Sequence, residues 1–196
     1  MTNAGYESGL PTDLLQTWRA IFERQKAFAE HAFDQLDDDR FFAVLTPGLN
    51  SVAVIARHMG ANMLSRWTDF LTTDGEKQSR DRDAELEAFP ANMPPKQRRE
   101  TRAHVMQVWS RGWDTLFATL DSLTESDLSR TVTIRSAPHS VHGAIARQLD
   151  HYAFHVGQIN LIARQLVGTD NWRWFTLPPG GTRAFNERMR RQHADD

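Results

Sequence analysis

The residues best suited to chemistry in this chain are histidines. The stretch "HYAFHVGQI" sets His151 and His155 four positions apart, with Gln158 three positions further on. On a helix, residues four apart project from nearly the same face, one turn along the axis. At ~100° per residue the same face carries Ala144, Gln148, Ile162 and Leu166, and its apolar members turn it toward a core. Inward-facing imidazoles need partners, because an unpaired buried polar nitrogen costs roughly 1–3 kcal/mol. In "HMGANMLSRWTDF", His58, Asn62, Ser65 and Asp69 recur at steps of four, three and four, a polar stripe along the edge of an apolar face. His58 is placed to reach across a helical bundle toward the pair. Three imidazoles with an open fourth position are the layout of a catalytic divalent site. An H-x-x-x-H spacing equally suits hydrogen-bonded core histidines, and at this level both readings stand. His104 is either an extra ligand or a boundary residue. His139 and His142 fall in or beside a loop, and His31 and His193 read as surface residues.

Composition narrows the chemistry. Cysteine is absent from the 196 residues, so a metal site must use nitrogen and oxygen ligands, and any reacting sulfur must come from a cosubstrate. "PPGGT" lacks the length and lysine of a phosphate loop, there is no G-x-S-x-G elbow, and no Glu-x-x-His pair suggests a di-iron bundle. The run "RDRD" at Arg80 to Asp83 reads as solvated ion pairs. A net charge of -2 gives no footprint for nucleic acid or an anionic membrane. No apolar run approaches the ~18 residues that span a bilayer. The N-terminus has neither the basic nor the apolar region of a signal peptide, so a cytoplasmic location is the expectation.

The elements that must position the histidines follow from hydrophobic periodicity. Four helices are predicted, over about 10–36, 51–71, 96–123 and 141–167, the second capped by Asn50 or Ser51 and the fourth stopped by Gly168. Leu14, Trp18, Ile21 and Phe22 belong to the predicted apolar stripe of the first. The charged stretch from "TTDGEK" to Pro95 predicts a long surface excursion, and "TVTIRS" a short strand or hairpin. Trp172, Trp174, Phe175 and Leu177 make the tail too apolar to hang free, so it packs on the bundle or on another subunit. The expected fold is one all-α four-helix bundle domain over 1–196, with a core about 10–168 and a tail 169–196.

The stretches "NSVAVIARHMGANMLSRWTDFLTTDGEK", "RDRDAELE", "RQLDHYAFHVGQI" and the late "LPPGGTRAFN" together resemble the DinB-like superfamily of metal-binding four-helix bundles, and within it an uncharacterised bacterial subgroup. "HMGAN" stands for a more usual "HLAGN", and "LPPGGT" for an "IPRGGS"-like end; neither touches a proposed ligand. The resemblance implies an up-down-down-up bundle, usually a homodimer, with His58, His151 and His155 on one divalent ion, for which zinc, nickel and iron all suit three imidazoles. Related families include thiol transferases, which implies an S-transferase joining a low-molecular-weight thiol cosubstrate to a small-molecule electrophile. Asn62, Ser65 and Gln158 would then orient the thiol or water, with Asp69 as a supporting partner. A metal-dependent hydrolase and a non-catalytic metal-binding, interaction or stress-response protein are the alternatives. "TTDGEK" and "PPGGT" are placed as loops rimming the pocket.

Overall fold

A computed structural model describes residues 13–192. In chain order these form α1 (Leu14–Phe33), α2 (Asp38–Phe42), α3 (Val52–Trp67), α4 (Arg82–Leu86) and α5 (Pro95–Ser122), then a 3-10 turn (Glu125–Ser129). The strands β1 (Thr131–Ile134) and β2 (Ala137–Ser140) and the helices α6 (Val141–Val167) and α7 (Thr182–Gln192) follow. Local chemistry sets the ends of the long helices. Asp13, Ser51 and Ser140 are N-caps whose side chains accept from Gln16, Val54 and Gly143 N–H groups. Pro95 opens α5, where its missing N–H costs nothing, and Gly168 closes α6 at φ 85°. The predicted start of the first helix, near residue 10, lies outside the described residues, as does His193.

Helix directions can be read from side-chain partners. Arg19 pairs with Asp121, while the Trp109 indole donates to Glu30, so α1 and α5 are antiparallel. Gly60 lies against Val108 and Trp109, and Thr119 Oγ1 donates to the Trp67 carbonyl, so α3 and α5 are parallel. His58 meets His155 while Asn62 meets Gln148, so α3 and α6 are antiparallel. These relations make an up-down-down-up bundle of α1, α3, α5 and α6 around a core that includes Phe22, Trp67, Trp109, Trp113 and Tyr152. The apolar stripe of α1 is wider than the face it buries, and Leu14 and Ile21 remain exposed. No helix among the described residues is long and apolar enough to cross a membrane.

The connection between the two parallel helices departs from the expected solvated excursion. Running parallel, α3 and α5 need a return crossing, and its residues pack down: Arg80 keeps only 4% of its side-chain surface and Glu85 is 7% exposed. The β1–β2 hairpin turns through Arg135 (φ 55°) and Ser136 (φ 62°), both left-handed as a two-residue type I′ turn requires, without the usual Asn or Gly. Asp74 holds this turn, its carboxylate accepting from the N–H groups of Arg135 (2.8 Å) and Ser136 (2.7 Å) and from Glu76 (2.7 Å).

The backbone N–H groups of Glu76 and Ser136 hold the Asp74 carboxyl down to about 2, against an ordinary 3.8. A folded-state value below the unfolded one means stability present above pH ~4 and lost as pH falls from about 4 toward about 2. Replacing Asp74 by Ala is expected to cost about 1 kcal/mol at pH 7 after solvent screening, with the difference from wild type vanishing near pH 2, as urea unfolding at several pH values will show.

The tail packs on the bundle through its first residues. Trp172 is buried, His31 contacts Trp172 and Phe175 and sits 2.7 Å from the Arg173 carbonyl, and Arg164 lies over Trp174. His31 therefore clasps the tail rather than standing free on the surface. By contrast, α7 buries no residue.

Candidate metal centre

Antiparallel packing of α3 on α6 brings His58 to the pair on α6. Its ring lies 5.7 Å from that of His151 and 5.1 Å from that of His155, centroid to centroid, and one nitrogen of each imidazole falls within 4.8 Å of the other two. Hydrogen-bond partners assign the tautomers. A carboxylate only accepts, so the 3.0 Å contact of His58 Nδ1 with Glu85 Oε2 is an N–H donated by the histidine. His155 Nδ1 likewise donates to Gln158 Oε1 at 2.8 Å. Both arrangements leave Nε2 with a free lone pair. His155 Nε2 and His151 Nε2 stand 3.1 Å apart, and the Nδ1 of His151 is buried with no hydrogen-bond partner.

Electrostatics keep the pair neutral. Burial pushes His151 down to about 3, helped by His155, His58, Arg147 and Arg66. Burial also lowers His155, against the opposing effect of its bond to Gln158. Near pH 7 both rings are therefore neutral and able to donate a lone pair. Two nitrogens bound at 2.0–2.1 Å on a tetrahedral ion would be about 3.3 Å apart, close to the observed separation. The donor set fits a divalent ion.

Glu85 is the partner that helix periodicity does not reveal. It sits on α4, which Asp81 caps and which Arg57 straps to α3 by donating to the Glu85 (2.9 Å) and Glu87 carbonyls. Arg80 grips the Glu85 carboxylate with two 2.7 Å bonds and also reaches Glu76. Burial alone would raise the Glu85 carboxyl, but Arg80 and His58 outweigh it and hold it below its ordinary value. The result is a carboxylate–histidine pair of the kind that orients metal ligands.

His58 and His151 form part of the wall of a cavity of about 410 Å³, with Asn62, Arg66, Arg80, Arg82, Arg135, Arg147, Asp150 and Phe154. Asn62 Oδ1 accepts from Gln148 Nε2 (2.8 Å) and the Tyr152 hydroxyl (3.1 Å), which in turn accepts from the Trp67 indole. This buried network fixes Asn62 in the cavity wall; burial raises the Tyr152 hydroxyl to about 12, against the opposing effect of its bonds from Trp67 and Gln148.

Residues 10–181 match the family described as protein of unknown function (DUF1572). The chain belongs to the DUF1572 family. No curated protein matches it. Its fold is similar to a solved structure described as "YfiT from Bacillus subtilis is a probable metal-dependent hydrolase with an unusual four-helix bundle topology". That likeness has a TM-score of 0.58 and 16% identity over 81% of this chain and 91% of the other, and at that identity it establishes a shared fold.

Of the residues the sequence singled out in this DUF1572 chain, His58, His151, His155, Asn62 and Gln158 come together. Ser65 does not face the cavity: its Oγ donates to the Gly75 carbonyl and accepts from Lys77 N–H, pinning the loop after α3. Asp69 stands exposed beyond the end of α3 at φ 50°, outside the cavity, because the helix ends at Trp67 and the predicted four-residue step no longer applies. His104 is exposed and apart from the cluster. Neither "TTDGEK" nor "PPGGT" lines the cavity; the former backs it, Gly75 lying against the Arg66 guanidinium. Sequence reasoning missed Glu85, the arginines and Asp150. The one available signal was the charged run beginning at Arg80, whose burial a local reading cannot detect.

Proposed function

We propose that this protein is a metal-dependent enzyme, with one divalent ion held by His58, His151 and His155. The observation that carries this is the convergence of three imidazoles, two of them in the wall of an open, small-molecule-sized cavity. Structural metal sites are closed by a full set of protein ligands, whereas this one offers three beside an open space. That favours catalysis over a structural or sensing role. When bound, such an ion supplies Lewis acidity, lowering the pKa of a water or small thiol beside it.

The residues divide the remaining work. Glu85 and Gln158 hold the His58 and His155 rings in the tautomers that present Nε2. Asn62, its Oδ1 already engaged, keeps its amide N–H groups for orienting a bound group. Asp150 is the carboxylate among the cavity-lining residues, and in this reading it accepts a proton from the nucleophile. Its presence favours water, and hence hydrolysis, because water needs a proton acceptor more than a thiol whose free pKa is already ~8.5. Thiol S-transfer to a small electrophile is the second reading, and it uses the same ligands with an external thiol, since the chain has no cysteine.

The test is metal content by mass spectrometry on tag-free protein beside His58→Ala and His155→Ala. About one ion per chain, lost in both variants with the helical circular dichroism unchanged, is the expected result. No ion bound, and no uptake from added zinc or nickel, would overturn the reading. Ester hydrolysis and thiol conjugation by the loaded protein, each compared with Asp150→Asn, then separate the reactions: a loss in the variant is expected for hydrolysis alone.

A further inference from the structure

The cavity wall carries five arginines, Arg66, Arg80, Arg82, Arg135 and Arg147, in a protein whose net charge is -2. Their counterions do not suffice. Arg80 is satisfied by Glu85 and Glu76. The same Glu76 carboxylate is the nearest for two more guanidiniums, Arg66 at 3.6 Å and Arg135 at 3.4 Å, too far for good hydrogen bonds. Among the described residues Arg82 and Arg147 form no ion pair; Arg147 makes only a 3.3 Å contact with the Gln148 amide oxygen. Counting Asp150, three carboxylates face five guanidiniums.

The deepest of the five is the least satisfied. Arg66 is 2% exposed, yet its Nε and Nη1 have no hydrogen-bond partner. A buried guanidinium with two nitrogens unbonded and its one carboxylate held at 3.6 Å is costly, and the oxygens of a ligand would complete it. Guanidinium forks match carboxylate and phosphate oxygens in geometry as well as charge. Phe154, 62% exposed at the rim, offers a ring to the apolar part of a ligand.

We infer that the substrate is a small oxyanion, a molecule carrying a carboxylate or phosphate that docks on Arg66 and Arg147 beside the three histidines. This names the substrate class of the site proposed above and rests on that reading. The positive wall is the recognition element, and the net negative surface elsewhere leaves the cavity as the place where an anion is drawn in.

Calorimetric titration of benzoate, phenyl phosphate and the neutral benzamide into metal-free protein, at constant ionic strength, tests it, with zinc uptake measured on the same preparations. Either anion is expected to bind and benzamide not, and the anion that binds identifies carboxylate or phosphate as the docked group. Arg147→Gln, an exposed residue whose loss leaves folding intact, is expected to weaken binding about tenfold. Arg183→Gln on α7, outside the cavity, is expected to leave it unchanged. Absence of anion binding, equal binding of benzamide, or an affinity untouched by Arg147→Gln would overturn the inference. Zinc uptake without anion binding would sink the substrate class and leave the metal centre standing. Anion binding without zinc uptake would do the reverse.

Discussion

Replacing Glu85 by Ala is expected to cost about 3 kcal/mol of stability and to weaken metal binding ten- to a hundredfold, roughly the usual loss when a ligand's orienting carboxylate is removed. The two effects have separate origins. Stability falls because Arg80, with 4% of its side chain exposed, loses both 2.7 Å bonds to Glu85 and keeps only the longer pair to Glu76. A buried charge left half-paired is far costlier than a pair removed whole. Metal affinity falls because His58 Nδ1 loses its acceptor, so the ring is free to turn and to hold its proton on either nitrogen. The double variant Arg80→Met/Glu85→Ala therefore recovers much of the stability and none of the metal affinity. Guanidinium unfolding and zinc competition titrations on the three proteins check this, and parallel recovery of both properties would show that Glu85 acts only as a structural brace. The Glu85 carboxyl lies below its ordinary 4.5 in the folded protein. Its contribution is thus present above about pH 4.5 and lost on acidification through the folded value.

Gly60→Ala is expected to destabilise the protein by about 3 kcal/mol, although alanine is the better helix former by about 1 kcal/mol. A Cβ at Gly60 would sit 2.9 Å from Trp109 N and from the carbonyl group of Val108. Those are backbone atoms of α5, so no side chain can swing aside, and relief requires the two helices to part. Gly112 makes the reciprocal approach, its Cβ position lying 2.9 Å from the Gly60 carbonyl oxygen and 3.0 Å from Met63 Cβ. The parallel pair is therefore packed backbone on backbone through two glycines. Gly157→Ala is the matched control. It lies within α6, where a Cβ meets nothing within 4 Å, and the same substitution should stabilise by about 1 kcal/mol. Opposite shifts in thermal midpoint for the two variants are the outcome to look for. Similar shifts would mean that α3 and α5 are not held in close contact.

What could be read without a structure was whatever repeats at short range. Period and caps place α6 at Val141–Val167, matching the expected limits, and α5 at Pro95–Ser122, within a residue of them. The four-residue step puts His151 and His155 on one face because helical geometry alone dictates it. The apolar residues around His58 mark its face as inward, since nearly all of α3 is buried. The same argument fails at Asp69, because a helix end is a local event that the periodic pattern overruns.

Long-range pairing had no such signal. Glu85 stands 27 positions from His58 and lies in a charged run that looks solvated. Charge runs carry no period that says which member turns inward; the inward members here are selected by the return crossing between parallel α3 and α5. Arg66 follows the same rule, lying next to Ser65 on a helix buried over most of its surface. Local hydrogen bonding and hydrophobic period therefore specify the helices and the face that bears the histidines, since both act over one or two turns. The carboxylate behind His58 and the cationic wall facing the cavity depend on which distant segments pack together, and that is an energy summed over the whole chain.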